Sequence, residues 1–175
     1  ELEAVIHQLR VEIDRLAQPV GKQDQYIAAV GGLTVFNFNQ DDSVDVERLD
    51  IRQNVLHELE EHLLLFFTGY SREASSILAD QQQKSDAGDQ QMLSALDHTK
   101  ELGHEIHDAL VSGDTERYAA LMHQHWEAKR LRSTGMSNPD IDRWYEIGRS
   151  NGALGGKLVG AGAGGFLMLF ADDPR

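Results

Sequence analysis

The amino-acid sequence predicts an α+β fold, with strands early and late around a helical middle. Leu33–Asn39 alternates with aromatic residues, and Leu63–Thr68 is a continuous apolar run. From Ser71 onward apolar residues recur at helical spacing, until six glycines between Gly155 and Gly165 lead into the apolar run Phe166–Phe170. Glycine loses more backbone freedom than any other residue on ordering. Glycines this dense beside a strand-like run therefore mark a tight turn or a close approach.

Taken in order, Leu2, Val5, Ile6, Leu9, Ile13 and Leu16 predict an amphipathic helix over residues 2–17, ended by Pro19 and Gly21. Gly21–Asp24 reads as a turn and Gln25–Val30 as a short helix, with Gly31-Gly32 as its breaker. Leu33–Asn39 and Val44–Leu49 read as two strands joined by an Asp41-Asp42-Ser43 turn. Residues 52–60 read as a helix and Leu63–Thr68 as a central strand, apolar on both faces. Ala74, Ile77 and Leu78 begin a helix with a polar tail, and Asp86–Asp89 is a surface loop. Leu96, Thr99, Leu102, Gly103, Ile106 and Leu110 form the stripe of the next helix, stopped at Gly113. Asp114 caps a further helix, whose core face carries Tyr118, Leu121, Met122 and His125. Asn138-Pro139 places a capping side chain before proline at the first helical position. Trp126 and Trp144 read as core anchors.

The 175 residues suffice to bury a substantial core, and 41% apolar with 26% charged residues is ordinary for a globular protein. Sixteen basic against 29 acidic residues give a net charge of −13. That balance disfavours nucleic acid or an anionic membrane as partner, because both require a basic footprint. A phosphate site would depend on local N–H groups and a few placed cations. Cysteine is absent, which excludes disulfides and thiolate metal sites. No run reaches membrane-spanning length and no signal peptide is visible, so the cytoplasm is the expected compartment.

Gly160, Gly162 and Gly165 satisfy G-x-G-x-x-G literally. A dinucleotide fingerprint, however, opens a helix within a βαβ unit, and here a strand-like run follows. A phosphate loop of the G-x-x-x-x-G-K-[ST] kind also fails, because Leu158 follows Lys157. His57 and His62 are one residue too far apart for the H-E-x-x-H zinc pair, and no metal site is expected.

Five ordered blocks carry a more specific signal. They are Gly21-Lys22-Gln23-Asp24-Gln25-Tyr26 before Gly31-Gly32, Thr68 to Ser75, His125 to Lys129, Met136 to Asp142, and Lys157 to Phe166. Together they resemble the GHMP kinases, small-molecule kinases that move phosphate from ATP, and within them the branch acting on D-glycero-D-manno-heptose 7-phosphate. The resemblance implies a mixed sheet packed with a bundle-like helical middle. Residues 1–50 would close the family's N-terminal domain, and 51–175 would form its C-terminal domain. The family's P-x-x-x-G-L-G-S-S phosphate loop has no match here, so the sequence reads as the C-terminal part of a longer kinase, inactive alone.

By motif match the resemblance makes Asp24 the catalytic base, which phosphoryl transfer requires to receive or orient the attacking hydroxyl's proton. Lys22 and Gln25 are candidates to hold substrate hydroxyls or phosphate, against the alternative of solvated loop side chains. Ser71 and Arg72 join a strand end to a helix start, where N–H groups, a hydroxyl and a guanidinium can hold an anion. A serine cap with a solvated arginine is the competing reading. Gly160, Ala161, Gly162, Ala163, Gly164 and Gly165 are expected to lie near the phosphates. Lys157 is expected to flank its strand, and Arg130 to complement a helix dipole within the basic group Lys129, Arg130 and Arg132.

ATP and Mg²⁺ are the implied cofactors. A sugar phosphate is the implied substrate, phosphorylated at its anomeric hydroxyl to a 1,7-bisphosphate. Another sugar 1-kinase of fucose or hexosamine type, a non-catalytic sugar-binding regulator and a structural helical domain are the alternatives.

Overall fold

The computed structural model describes residues 21–70, 74–132, 135–160, 162 and 164–174. The helix expected over residues 2–17 lies outside them. Two compact units divide at Asp50 and Ile51.

In the first unit, helix α1 (Gln23–Val30) precedes strands β1 (Thr34–Phe38) and β2 (Val44–Arg48). The strands pair antiparallel, with Phe36 opposite Val46. Gly31 and Gly32 both take positive φ, 68° and 67°, the left-handed backbone that glycine adopts without strain. Tyr26 supplies the small core, packed on Ala29, Phe36 and Val44, with its ring edge-on to Phe36 at 5.8 Å.

The second unit contains α2 (Gln53–His62), β3 (Leu63–Phe67), α3 (Ala74–Asp86), α4 (Gln90–Ser112), α5 (Thr115–Arg130), α6 (Pro139–Ser150), β4 (Ala153–Leu158) and β5 (Phe166–Ala171). The class is α+β as the sequence predicts, but every pairing among the described strands is antiparallel rather than mixed. The strand order is β3-β5-β4. A short loop joins β4 to β5, and such a connection reverses the chain and produces an antiparallel pair.

Local signals operate as read. Asp114 accepts from Arg117 N–H at 2.9 Å, and Asn138 accepts from the N–H groups of Asp140 and Ile141 at 3.0 Å each. Gly113 closes α4 in the left-handed conformation at φ 80°. The main core joins Trp126, Ile141, Tyr145, Ala153, Leu158, Leu167 and Leu169. Gly155 allows α5 to lie directly on β4, because a Cβ there would collide with the Ala119 carbonyl.

Three further expectations are corrected. β3 is an edge strand of the described sheet rather than a central one, and it leaves Leu65, Phe66 and Phe67 exposed. Trp126 is fully buried, whereas Trp144 is 38% exposed and stacks at a tilt beside Tyr70. In the α4 stripe Leu102 and Leu110 are buried, but Leu96 and Gly103 face outward. A 23-residue helix packs only part of its length against α5.

Candidate functional site

The loop between β4 and β5 organises the second unit. Gly160, Gly162 and Gly165 all take positive φ, at 87°, 125° and 102°. Two of its glycines are also set by close approach. A Cβ on Gly164 would stand 2.5 Å from the Tyr70 carbonyl oxygen, and one on Gly162 would strike the Met136 sulfur. Here glycine is required by contact as well as by conformation.

Separate sequence blocks are tied to this loop. After β3, Thr68 donates to the Gly165 carbonyl from both its N–H and its hydroxyl, each at 2.9 Å, and Gly165 N–H donates back to the Tyr70 carbonyl at 3.0 Å. The Tyr70 hydroxyl donates to the Asp140 carboxylate at 2.6 Å, which raises the phenol's pKa above its ordinary value. Met136 packs with Ile77 under the loop. Ser137 donates to Asp142 at 2.7 Å, and Arg130 reaches the same carboxylate at 3.2 Å.

Lys129 enters from α5. It is 7% exposed, and its ammonium donates to the carbonyls of Leu158, at 3.2 Å, and Gly160. The loop therefore begins on a buried cation. Burial, then the nearby Lys157 and Arg132 charges, depress the Lys129 pKa from 10.5 to about 7. Between these values the unfolded chain binds the proton that the folded chain sheds, so stability rises with pH across that window. Below it both states are protonated and the native state bears the whole burial cost. The melting temperature of the wild type relative to Lys129→Met is accordingly expected to increase from about pH 7 toward pH 10. A pH-independent difference would show that Lys129 does not titrate in this range.

Thr68, Tyr70, Lys129 and Met136 belong to blocks recognised in the sequence, yet none stood out individually. Their partners are remote in the chain, and only their presence in the ordered blocks hinted at a role. Ser71, Arg72, Ala161 and Ala163 lie outside the described residues.

In the first unit Asp24 occupies the first turn of α1, where an anionic side chain is favoured by the helix dipole, and its side chain is exposed. The Lys22 ammonium is 2.9 Å from Asp42 and also meets the Asp42 carbonyl at 3.3 Å. Lys22 thus ties α1 to the β1–β2 turn and leaves Asp24 facing solvent. Asp42 holds a positive φ of 67° there. Gln25 is half-buried on the same helix.

The histidines are engaged separately. His57 lies 3.3 Å from Glu61, and the His62 ring contacts the Ala171 carbonyl at 2.6 Å. Among the described residues no three histidines or carboxylates converge on a possible metal position, and no helix is long and apolar enough to cross a membrane.

Residues 106–175 match the family model described as GHMP kinases C terminal. The D-glycero-alpha-D-manno-heptose 7-phosphate kinase of Campylobacter jejuni is 36% identical over 172 residues, which cover 97% of this chain and 50% of that protein. A solved structure of a putative sugar kinase from Campylobacter jejuni has a TM-score of 0.68 at 32% identity, over 98% of this chain and 47% of that one. A D-glycero-D-manno-heptose 1-phosphate kinase from Bacteroides thetaiotaomicron has a TM-score of 0.65 at 25% identity, over 99% of this chain and 45% of that one. The chain thus spans half the length of the first relative and less than half of the two solved chains. With its glycine loop held by the Thr68, Lys129 and Met136 blocks, and with relatives matching nearly its whole length, the chain carries the C-terminal domain of a GHMP kinase, matched by the family model over residues 106–175.

Proposed function

We propose that the protein carrying this chain transfers the γ-phosphoryl group of ATP to the anomeric hydroxyl of D-glycero-D-manno-heptose 7-phosphate. One observation carries the reading. Three separate blocks, all remote in sequence or in motif from the loop, hold a single glycine loop, Thr68 through Gly165, Lys129 through Gly160 and Met136 through Gly162, in a chain 36% identical to a kinase named for that sugar.

In this reaction the sugar O1 attacks the γ-phosphorus, a P–O bond forms, and the bond to the ADP oxygen breaks. Asp24, exposed in the first turn of α1, takes the proton released by O1. The cytoplasmic small-molecule partners are then the sugar phosphate and ATP. A Cβ at Gly160 would meet nothing within 4 Å, so the loop has open backbone onto which a phosphoryl oxygen could dock. Mg²⁺ would assist the transfer by neutralising phosphate charge, but the described residues offer it no cluster of ligands. Residues 1–50 are assigned to the end of the N-terminal domain and the remainder to the C-terminal domain.

The test incubates the full-length protein with Mg-ATP and heptose 7-phosphate, L-fucose or a hexosamine in turn. A bisphosphorylated heptose, identified by its mass and a new anomeric ³¹P coupling, is the expected product. Turnover confined to L-fucose would favour the fucose-type alternative. Sugar binding without turnover would favour a non-catalytic regulator.

A further inference from the structure

Beside Lys129, which holds the glycine loop, stand side chains with no place in the phosphoryl transfer just described. Lys157 on β4, His125 and Lys129 on α5, and Arg132 just beyond α5 stand side by side. The Lys157 ammonium is 3.2 Å from His125 Nδ1, and an Arg132 terminal nitrogen is 3.4 Å from His125 Nε2. A neutral imidazole has one acceptor nitrogen and one N–H. Both ring nitrogens here face cationic donors, so with the neighbours charged at least one donor lacks an acceptor. Arg132 Nε is also buried without a hydrogen-bond partner. The array holds more donors than acceptors.

Its electrostatics agree. His125 is held down to about pKa 3, first by burial and then by Lys157, Arg132, Lys129 and His98. Burial and Arg132 also lower Lys157. No carboxylate contributes to the shift of any of the three lysine and histidine groups, in a chain of net charge −13. The nearby carboxylates serve elsewhere: Asp89 accepts the Met92 N–H at 2.9 Å, and Asp80 accepts from Lys84 at 2.8 Å. Arg132 borders a cleft of about 450 Å³ beside α4, together with His98, Lys84 and Asp89, so the Arg132 side of the array faces that cleft.

We propose that Lys157, Arg132 and His125 form a binding site for a phosphate monoester dianion, entered through the cleft between α4 and the end of α5. A dianion rich in acceptors is the complement of this array. It can satisfy the Arg132 fork and a Lys157 proton together, and it offsets charge that burial otherwise penalises. Bound there, it also favours the protonated form of Lys129 and hence its hold on the Leu158 and Gly160 carbonyls. The occupant is either the substrate's own distal phosphate or a free phosphate species.

The test titrates inorganic phosphate into the full-length protein by calorimetry, with chloride matching the ionic strength. Saturable one-to-one binding is expected, weakened about tenfold or more by Arg132→Gln and by Lys157→Met, and largely retained by Lys157→Arg. Circular dichroism verifies the fold of each variant. Absence of saturable binding, or equal affinity in wild type and both charge-removing variants, would overturn the site. Heptose 7-phosphate displacing phosphate at concentrations well below those of phosphate itself makes the substrate ester the occupant. Displacement only at comparable concentrations makes this a free-phosphate site. Binding requires no turnover, so failure of the kinase reading would leave this result interpretable.

Discussion

Replacing Asp24 with Asn is expected to lower kcat of the full-length enzyme by about 10²–10⁴-fold, with little change in ATP affinity. The two side chains have nearly the same shape, but the amide cannot take the proton that the anomeric hydroxyl loses. The Lys22 ammonium is bound to Asp42, so the substitution breaks no described ion pair of Asp24. The carboxylate's favourable place in the first turn of α1 contributes only a small part of stability. Steady-state kinetics with heptose 7-phosphate and ATP, with nucleotide affinity measured separately, check the split. A near-normal kcat in Asp24→Asn would remove the residue from the chemistry.

The largest stability effect is expected at Trp126. Its side chain is fully buried, 6.1 Å from the Tyr145 ring and beneath the Arg130 guanidinium at 6.0 Å. Trp126→Ala should cost about 3–5 kcal/mol in urea unfolding, through lost burial and the cavity left behind. Trp126→Phe should cost much less. It keeps an aromatic ring and removes the indole N–H, which is buried without a hydrogen-bond partner. Leu158 and Leu167, in the same core, flank the glycine loop at the ends of β4 and β5, so Trp126→Ala should also expose the loop to proteolysis at lower urea. Equal losses for Ala and Phe would mean that a phenyl ring restores none of the packing and that the site needs the whole indole.

Punctuation was legible in the sequence. Asp114, Asn138 and Gly113 act within a few residues of themselves, so their helix ends can be read from a short window. The ordered blocks likewise marked the glycine loop, whose ties to Thr68 and Lys129 the structure shows, and Asp24 stands as a proposal. Ser71 and Arg72 are left as proposals, since they fall outside the described residues.

Other features were illegible for a common reason. Leu63–Thr68 has the apolar continuity of a strand covered on both faces, but a strand's rank in its sheet depends on partners such as Phe166–Phe170, about a hundred residues away in register. Trp126 and Trp144 both suit a helical core face, and only the packing of α6 decides that one is enclosed and the other is not. In the sequence Lys129 is one member of a basic group at a helix end, with nothing local to mark it as buried. Its carbonyl acceptors lie 29 and 31 residues further along the chain, and the contact of Lys157 with His125 spans 32. By itself the sequence determined the helix stops, the turn chemistry and the motif order, because these rest on backbone geometry and on residues close in the chain. Only the tertiary structure decided which apolar faces stay open and which cations are stripped of water, because burial is a property of whatever distant segment comes to lie on top.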